Sequence, residues 1–163
     1  MKIERYLITT ADENTWVFDR PVLFLGDWCL LESRKHVWLN LDYEIVPYHW
    51  HNQDKLLNDV KVIRELYAKI IPKLSFYLNN YHSTNFSERS WKIIIGPWLS
   101  RFIQVIFDRY KILEYAFENY KISGISYTEI NLLDIVAFDY VDFGEATKTD
   151  KWNYLIYSFL YLN

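Results

Sequence analysis

The chain has 163 residues, of which 51% are hydrophobic and 24% charged, so it can fold around a core and is not intrinsically disordered. Its formal net charge of −3 provides no basic surface for a phosphate backbone, and nucleic acid is therefore not an expected partner. The single cysteine excludes an internal disulfide, and no signal peptide or run of ~20 apolar residues is present, so the sequence predicts a cytoplasmic protein without a membrane span.

Three short β-prone runs come first along the chain. Each is rich in branched or aromatic residues and is bounded by polar, Pro or Gly residues; they cover residues 6–10, 22–25 and 43–46. Only residues 11–21 separate the first two runs, which is close to the shortest crossover that can join parallel strands through a helix. We therefore expect the first connection to be irregular.

The pattern becomes helical after Trp50. From Asp54 to Leu74, apolar residues recur every three or four positions and so form one stripe of a long amphipathic helix. Pro72 lacks an N–H group and its ring crowds the preceding turn. A kink or a restart of the helix is expected there.

A second helical stretch covers residues 87–119 and is followed by one more strand, at residues 122–128. The pair Gly96-Pro97 predicts that one helix ends and another begins, because glycine suits a helix end and proline suits a first turn. A final helix is predicted to start at about Asp150, acting as its N-cap.

These elements predict an α/β fold in which a short sheet is covered by long amphipathic helices. No repeat, low-complexity tract or flexible linker divides the sequence, so we expect a single domain over residues 1–163. The four glycines are scattered, which excludes a Gly-rich phosphate loop and a dinucleotide fingerprint. No cofactor is expected.

Polar side chains follow the first two predicted strands. They are Thr10, Asp12, Glu13 and Asn14 after the first strand and Asp27 after the second. Ligands of open α/β sheets bind at the carboxyl ends of strands, so these residues are predicted to converge on one crevice, which His49 after the third strand is also predicted to face. Asp12 or Glu13 would deprotonate an acceptor hydroxyl there, given a pKa raised by partial burial. The alternative is structural: Asp and Asn in this position cap helices, and Glu13 complements a helix dipole.

The stretch His49-Trp50-His51, with Asp54 nearby, raises the question of a metal site. Two imidazoles without a third ligand are a weak signal, and we expect no metal. His49 is instead predicted to hydrogen-bond a loop or a ligand, or to be a structural histidine.

Two arginines in the second helical stretch, Arg89 and Arg101, are candidate phosphate ligands, because guanidinium groups fixed at helix starts bind phosphate bidentately. The alternative reading of this region is structural. In it, Trp91 and Trp98 are packing anchors and Gly96-Pro97 is a bend.

The chain is 19% aromatic, which is more than a small core needs. Rings such as Trp16, Trp28 and Trp50 are therefore candidates to stack on sugars in a ligand site, although core packing or an interface would also account for aromatic residues. The final helix is rich in apolar side chains around more than one face, so we expect it to bury a second surface.

Five stretches resemble a family of transferases found in O-antigen and surface-polysaccharide biosynthesis loci. They read YLITTADENTW (residues 6–16), FLGDWC (24–29), PYHW (47–50), GPWL (96–99) and DKWNYLIY (150–157). The resemblance runs from about Arg5 to the last residues and supports His49 and Trp50, but it leads us to expect an acidic residue where His51 stands. It implies a Rossmann-like half of a two-domain glycosyltransferase-like fold.

Members of that family are much longer, so the resemblance implies the N-terminal, acceptor-side part of a sugar or polysaccharide-precursor transferase. The expected ligand is a glycan or sugar-phosphate acceptor, and the isolated chain is expected to be inactive. The expected protein partner is either the missing C-terminal domain or a second copy bound through the final helix. The alternative is a non-catalytic binding or assembly module that has lost its catalytic half.

Overall fold

The structure is a computed structural model that describes residues 3–163. It contains one four-stranded sheet, formed by β1 (Arg5–Ile8), β2 (Val22–Phe24), β3 (Tyr43–Ile45) and β4 (Ile122–Ile125). The strand order is β3-β2-β1-β4 and every pair is parallel. The predicted α/β class, with a short Rossmann-like sheet and long helices, is confirmed.

Within residues 3–163, five α-helices accompany the sheet. They are α1 (Lys35–Trp38), α2 (Gln53–His82), α3 (Glu88–Asn119), α4 (Tyr140–Ala146) and α5 (Asp150–Leu162). Short 3-10 turns occupy Glu13–Thr15, Asp27–Cys29, Glu32–Arg34, His49–His51 and Leu132–Ile135. The first of these turns lies in the short connection between β1 and β2, which is as irregular as its length predicted.

The chain divides into two compact units. The first, which we call the sheet unit, consists of Met1–His49 and Arg109–Asn163. The second, the helical unit, is the intervening segment Trp50–Asp108.

Both faces of the sheet are covered by apolar side chains, which explains why the β2 region reads as a continuous apolar run rather than an alternating one. One face carries Leu7, Leu23 and Ile125 and packs against the end of α3 and Tyr157 of α5. The other face packs against connections between strands; its buried residues are Ile8, Trp16, Val22, Phe24, Cys29 and Trp38.

In the helical unit, α2 and the first part of α3 pack together along the stripe that the periodicity predicted. The buried centre consists of Ile63, Ile71, Leu99 and Ile103. Tyr67 and other partly buried apolar side chains of both helices surround it.

Pro72 and Pro97 lie inside α2 and α3 and do not end these helices. The prediction of separate helices at Gly96-Pro97 is therefore wrong. Of the two outcomes predicted for Pro72, a kink or a restart, the restart is wrong. Each proline removes the hydrogen bond to the carbonyl four residues earlier. The residues at those positions, Ala68 and Ile93, are exposed, as are both prolines. Water can therefore bind the released carbonyls, and α2 and α3 continue.

Two further boundaries differ from the predicted ones. The N-cap of α5 is Thr149, whose hydroxyl accepts a hydrogen bond from the Trp152 backbone N–H, so Asp150 is the first helical residue and not the cap. The last strand ends at Ile125, three residues before the predicted end. Both differences matter, because Asp150 and the residues after Ile125 lie at the candidate site.

Candidate active site at the carboxyl edge of the sheet

The strand order places a topological switch point between β1 and β4. From β1 the chain builds the sheet outward through β2 and β3, and then returns to pair β4 with the opposite edge of β1. In open parallel sheets, ligands bind outside the carboxyl ends of the strands at such a switch point.

The start of α5 is joined to the loop after β1 at this edge. The backbone N–H of Ala11 donates a hydrogen bond to Asp150 Oδ1 over 2.9 Å. Beside β4, the Ser126 hydroxyl is hydrogen-bonded to the Tyr154 hydroxyl over 3.1 Å. Residues that follow β1 and β4 thus contact α5 at the switch point.

Thr10 is the most unusual polar residue of this edge. Its side chain is 0% exposed, yet Oγ1 has no hydrogen-bond partner within residues 3–163. Its carbonyl accepts a hydrogen bond from the indole N–H of Trp16 over 2.9 Å. Because buried polar groups are nearly always paired, the unused hydroxyl is a notable exception.

Asp12 and Asn14 form a local cap. Asp12 Oδ1 accepts hydrogen bonds from the backbone N–H of Asn14 over 3.0 Å and from its side-chain amide over 2.8 Å. Asp12 is thus the N-cap of the turn Glu13–Thr15, as the structural alternative predicted. Neither bond uses Oδ2, so capping leaves the second carboxylate oxygen available for other interactions.

Glu13 is held by a different group. The Arg34 guanidinium donates to both of its carboxylate oxygens, with a distance of 2.6 Å from Nε to Oε1. This charge-assisted pair lowers the pKa of Glu13. A general base was expected to have a raised pKa, so the environment of Glu13 is the opposite of the one that the prediction required.

The loop after β2 is fastened to the loop after β1 by Trp28, whose indole N–H donates to the Thr9 carbonyl over 3.0 Å. The ring also contacts Tyr48 edge-on, with centroids 6.5 Å apart, and remains 38% exposed. A Cβ atom on Gly26 would lie 2.1 Å from this ring, so glycine is required for the close approach. Asp27 is exposed at the first position of the same turn.

Three further predicted site residues, all aromatic or imidazole side chains, have varied surroundings. Trp16 is buried and packs edge-on against Phe24, with centroids 5.0 Å apart, which is a core position. His49 is buried beside the Tyr48 ring after β3. In the helical unit, the Trp50 indole donates to Asp59 Oδ2 over 2.9 Å.

The two candidate phosphate ligands Arg89 and Arg101 lie far apart on the same helix. Both belong to the continuous helix α3, where twelve residues separate them by about 18 Å along the axis. Only Arg89 lies in a first helical turn, because no helix starts at Pro97. Nearby, Trp91 is buried and donates its indole N–H to Asn79 Oδ1 over 3.0 Å, so its predicted role as a packing anchor is confirmed.

Comparison with known families decides the class of this protein. The sequence matches the model described as "LIC12162 family transferase" over residues 5–162. The chain belongs to the LIC12162 transferase family. Comparison with curated proteins gave no significant match, and comparison with solved structures gave none either.

Three further observations concern a thiol, metal binding and membrane spans in this LIC12162 family member. The Cys29 thiol is buried, donates to the Ile8 carbonyl over 3.7 Å and has a pKa raised by burial, so it is an unreactive thiol. Throughout the described part of the chain, no three His, Cys, Asp or Glu side chains are grouped to hold a metal ion. Between residues 3 and 163, no helix is long and apolar enough to cross a membrane.

The sequence analysis did not identify Asp150 and Ser126 as candidate site residues of this LIC12162 family member. Asp150 contacts Ala11 across 139 positions of sequence, a pairing that periodicity cannot reveal. Ser126 follows β4 directly, but the strand was predicted to run to residue 128, so a rule that selects residues after strand ends could not identify it.

Proposed function

We propose that this chain forms the acceptor side of a sugar transferase and that its ligand crevice lies at the switch point between β1 and β4. The acceptor is a glycan or sugar phosphate. Asp12 acts as the general base through Oδ2, Thr10 and Asn14 bind acceptor hydroxyls, and the exposed Trp28 ring stacks on a sugar face. Glu13, paired with Arg34, keeps the loop that carries Asp12 in position.

One observation carries this proposal: the fully buried Thr10 hydroxyl has no hydrogen-bond partner in residues 3–163, at the strand end where parallel sheets bind ligands. The Thr10 side chain is 0% exposed, so a ligand hydroxyl would satisfy it only once the loop after β1 has moved to admit the ligand. Asp12 lies two positions later in the same loop. The Ala11 N–H of this loop is held by a hydrogen bond to Asp150. Membership of a transferase family supports group transfer as the reaction class.

The wider setting is also part of the proposal. Residues 1–163 would act as one N-terminal α/β domain of a longer, cytoplasmic enzyme of surface-polysaccharide (O-antigen) biosynthesis, and the donor nucleotide would be bound mainly by the remaining part. The resemblance of the sequence stretches quoted above supports this setting.

The test is a thermal-shift screen of the 163-residue chain with soluble glycans, sugar phosphates and nucleotide sugars, since a ligand of the native state raises Tm by mass action. We expect glycans or sugar phosphates to raise Tm and nucleotide sugars to have little effect. Asp12→Asn should weaken the response. The matched control is Glu118→Gln, which alters an exposed acid on α3 and should leave the response unchanged.

Two results would contradict the proposal. One is a screen in which no glycan or sugar phosphate shifts Tm. The other is an acceptor response that Asp12→Asn and Glu118→Gln alter equally, because the effect would then reflect net charge and not the crevice.

A second function, that of an assembly module, is favoured by the segment 132–141. Its apolar side chains are unusually exposed, with Phe138 at 95% and Leu133 at 75%. The final helix contributes less than the sequence suggested, because Trp152, Leu155 and Tyr157 are buried in the sheet unit. Under this alternative, the missing domain or a second copy covers the exposed apolar surface.

Sedimentation equilibrium tests the assembly module. Micromolar self-association that Phe138→Asp abolishes would favour a second copy as the partner. A monomer at all concentrations would remove the homo-oligomer from consideration.

A further inference from the structure

The helical unit contains a cavity of about 510 Å³ between α2 and α3. This volume lies within the range of small-molecule sites, roughly 300 to 1,000 Å³. The cavity is lined by Trp50, Leu56, Val60, Ile63, Arg64, Tyr67, Ser100 and Gln104.

The lining separates into an apolar part and a polar part. Leu56, Val60 and Ile63 are spaced four and three residues apart on α2, so they lie on one face and form an aliphatic wall. Ser100 and Gln104 lie one turn apart on α3, and the amide of Gln104 approaches the Ser100 hydroxyl at 3.5 Å, the limit for a hydrogen bond. Both side chains can therefore turn to a ligand at little cost.

Arg64 supplies a positive charge that the described chain does not neutralise. Its guanidinium is exposed and forms no hydrogen bond or ion pair with any of residues 3–163. The nearby cation Lys55, in contrast, pairs with Asp59 over 2.5 Å. Arginine binds phosphate and carboxylate groups through a planar fork of donors, and an uncommitted guanidinium at a cavity is suited to such a group.

Tyr67 adds a polar group within a tightly packed position. A Cβ atom on Gly96 would lie 2.7 Å from the Tyr67 hydroxyl, so the glycine allows α3 to approach this ring closely. The Tyr67 ring thus forms part of the cavity wall with its hydroxyl close to α3, and Arg64 lies less than one turn earlier along α2.

We propose that this cavity binds an amphiphilic anion, a molecule with one phosphate or carboxylate head and an apolar body. The head pairs with Arg64 and is hydrogen-bonded by Gln104 and Ser100, while the body lies along Leu56, Val60 and Ile63. The site belongs wholly to the helical unit and does not depend on the proposed function of the sheet edge.

Isothermal titration calorimetry of the 163-residue chain tests this site with octyl phosphate, octanoate and the neutral control octanol, each below its micelle or solubility limit. We expect at least one of the two anions to bind about tenfold or more tightly than octanol, because a charge-assisted hydrogen bond contributes on that scale. The two anionic probes distinguish a phosphate from a carboxylate head.

Three variants define the site. Arg64→Ala should remove the preference for an anion, and Val60→Trp should fill the cavity and abolish binding of every probe. Lys69→Ala, which removes an exposed charge from α2 outside the cavity lining, should change nothing. Far-UV circular dichroism checks that each variant is folded. Equal binding of octanol and both anions, absence of anion binding, or anion binding unaffected by Arg64→Ala in a folded variant would overturn the proposal.

Discussion

Replacement of Thr10 by valine should make the protein more stable. The substitution exchanges the buried hydroxyl for a methyl group of nearly the same shape, and Oγ1 has no partner in residues 3–163 that would be lost. An unsatisfied buried polar group costs about 1–3 kcal/mol. Taking the lower end, Thr10→Val should raise the free energy of unfolding by about 1 kcal/mol, and Tm by about 2–4 °C for a chain of this length.

The matched control is Thr147→Val. Thr147 is also buried, but its hydroxyl donates to the Gly144 carbonyl over 3.0 Å. This variant should lose about 1 kcal/mol, since a typical hydrogen bond contributes on that scale. Urea unfolding and thermal melts of both variants measure the two differences.

The reasoning is refuted if Thr10→Val destabilises the chain as Thr147→Val does. The Thr10 hydroxyl would then make a hydrogen bond in solution that stabilises the fold. A Thr10→Val variant that is more stable but no longer responds to the acceptor would indicate a hydroxyl kept for binding at the expense of stability.

Three other predictions follow from the edge of the sheet. Gly26→Ala should destabilise the chain by about 2 kcal/mol in urea unfolding, because the new Cβ displaces the Trp28 ring from its bond to Thr9; an unchanged midpoint would contradict this. Glu13→Gln should lower stability at neutral pH only. Because Arg34 lowers the pKa of Glu13, the ion pair stabilises the fold fully above the ordinary pKa of about 4.3, and this stabilisation is lost as pH falls through the lowered pKa of the folded state. Denaturation curves of the variant and the wild type should therefore converge in acid. The purified 163-residue chain should show no steady sugar transfer, as no phosphate-binding loop is present in its sequence, and turnover that responds to Asp12→Asn would disprove this.

Local patterns predicted most of the elements. The apolar runs around Leu23 and the helical stripe around Ile63 both lie in the cores that their periodicity indicates. The error at Gly96-Pro97 has a physical cause: a proline is read as a break, but whether it is one depends on solvent access to the carbonyl it releases, and that is a tertiary property.

The candidate site was predictable only in part. The rule that ligands bind at the carboxyl ends of strands identified Thr10 and Asp12, but it carried no information about the groups that pair with them. The pairing of Glu13 with Arg34 and of Ala11 with Asp150 depends on how distant loops meet, and no local spacing encodes it. The buried, unpaired hydroxyl of Thr10 became visible only when its surroundings were known.

The strand order also has a consequence for biosynthesis. β1, β2 and β3 are made within the first 45 residues and can pair early, whereas β4 is completed only at Ile125. At a translation rate of 5–20 residues per second, one edge of β1 stays without its neighbour for on the order of ten seconds. An open strand edge beside apolar residues invites pairing with other nascent chains. Chaperone demand during synthesis should therefore be greatest before residue 125 emerges from the ribosome.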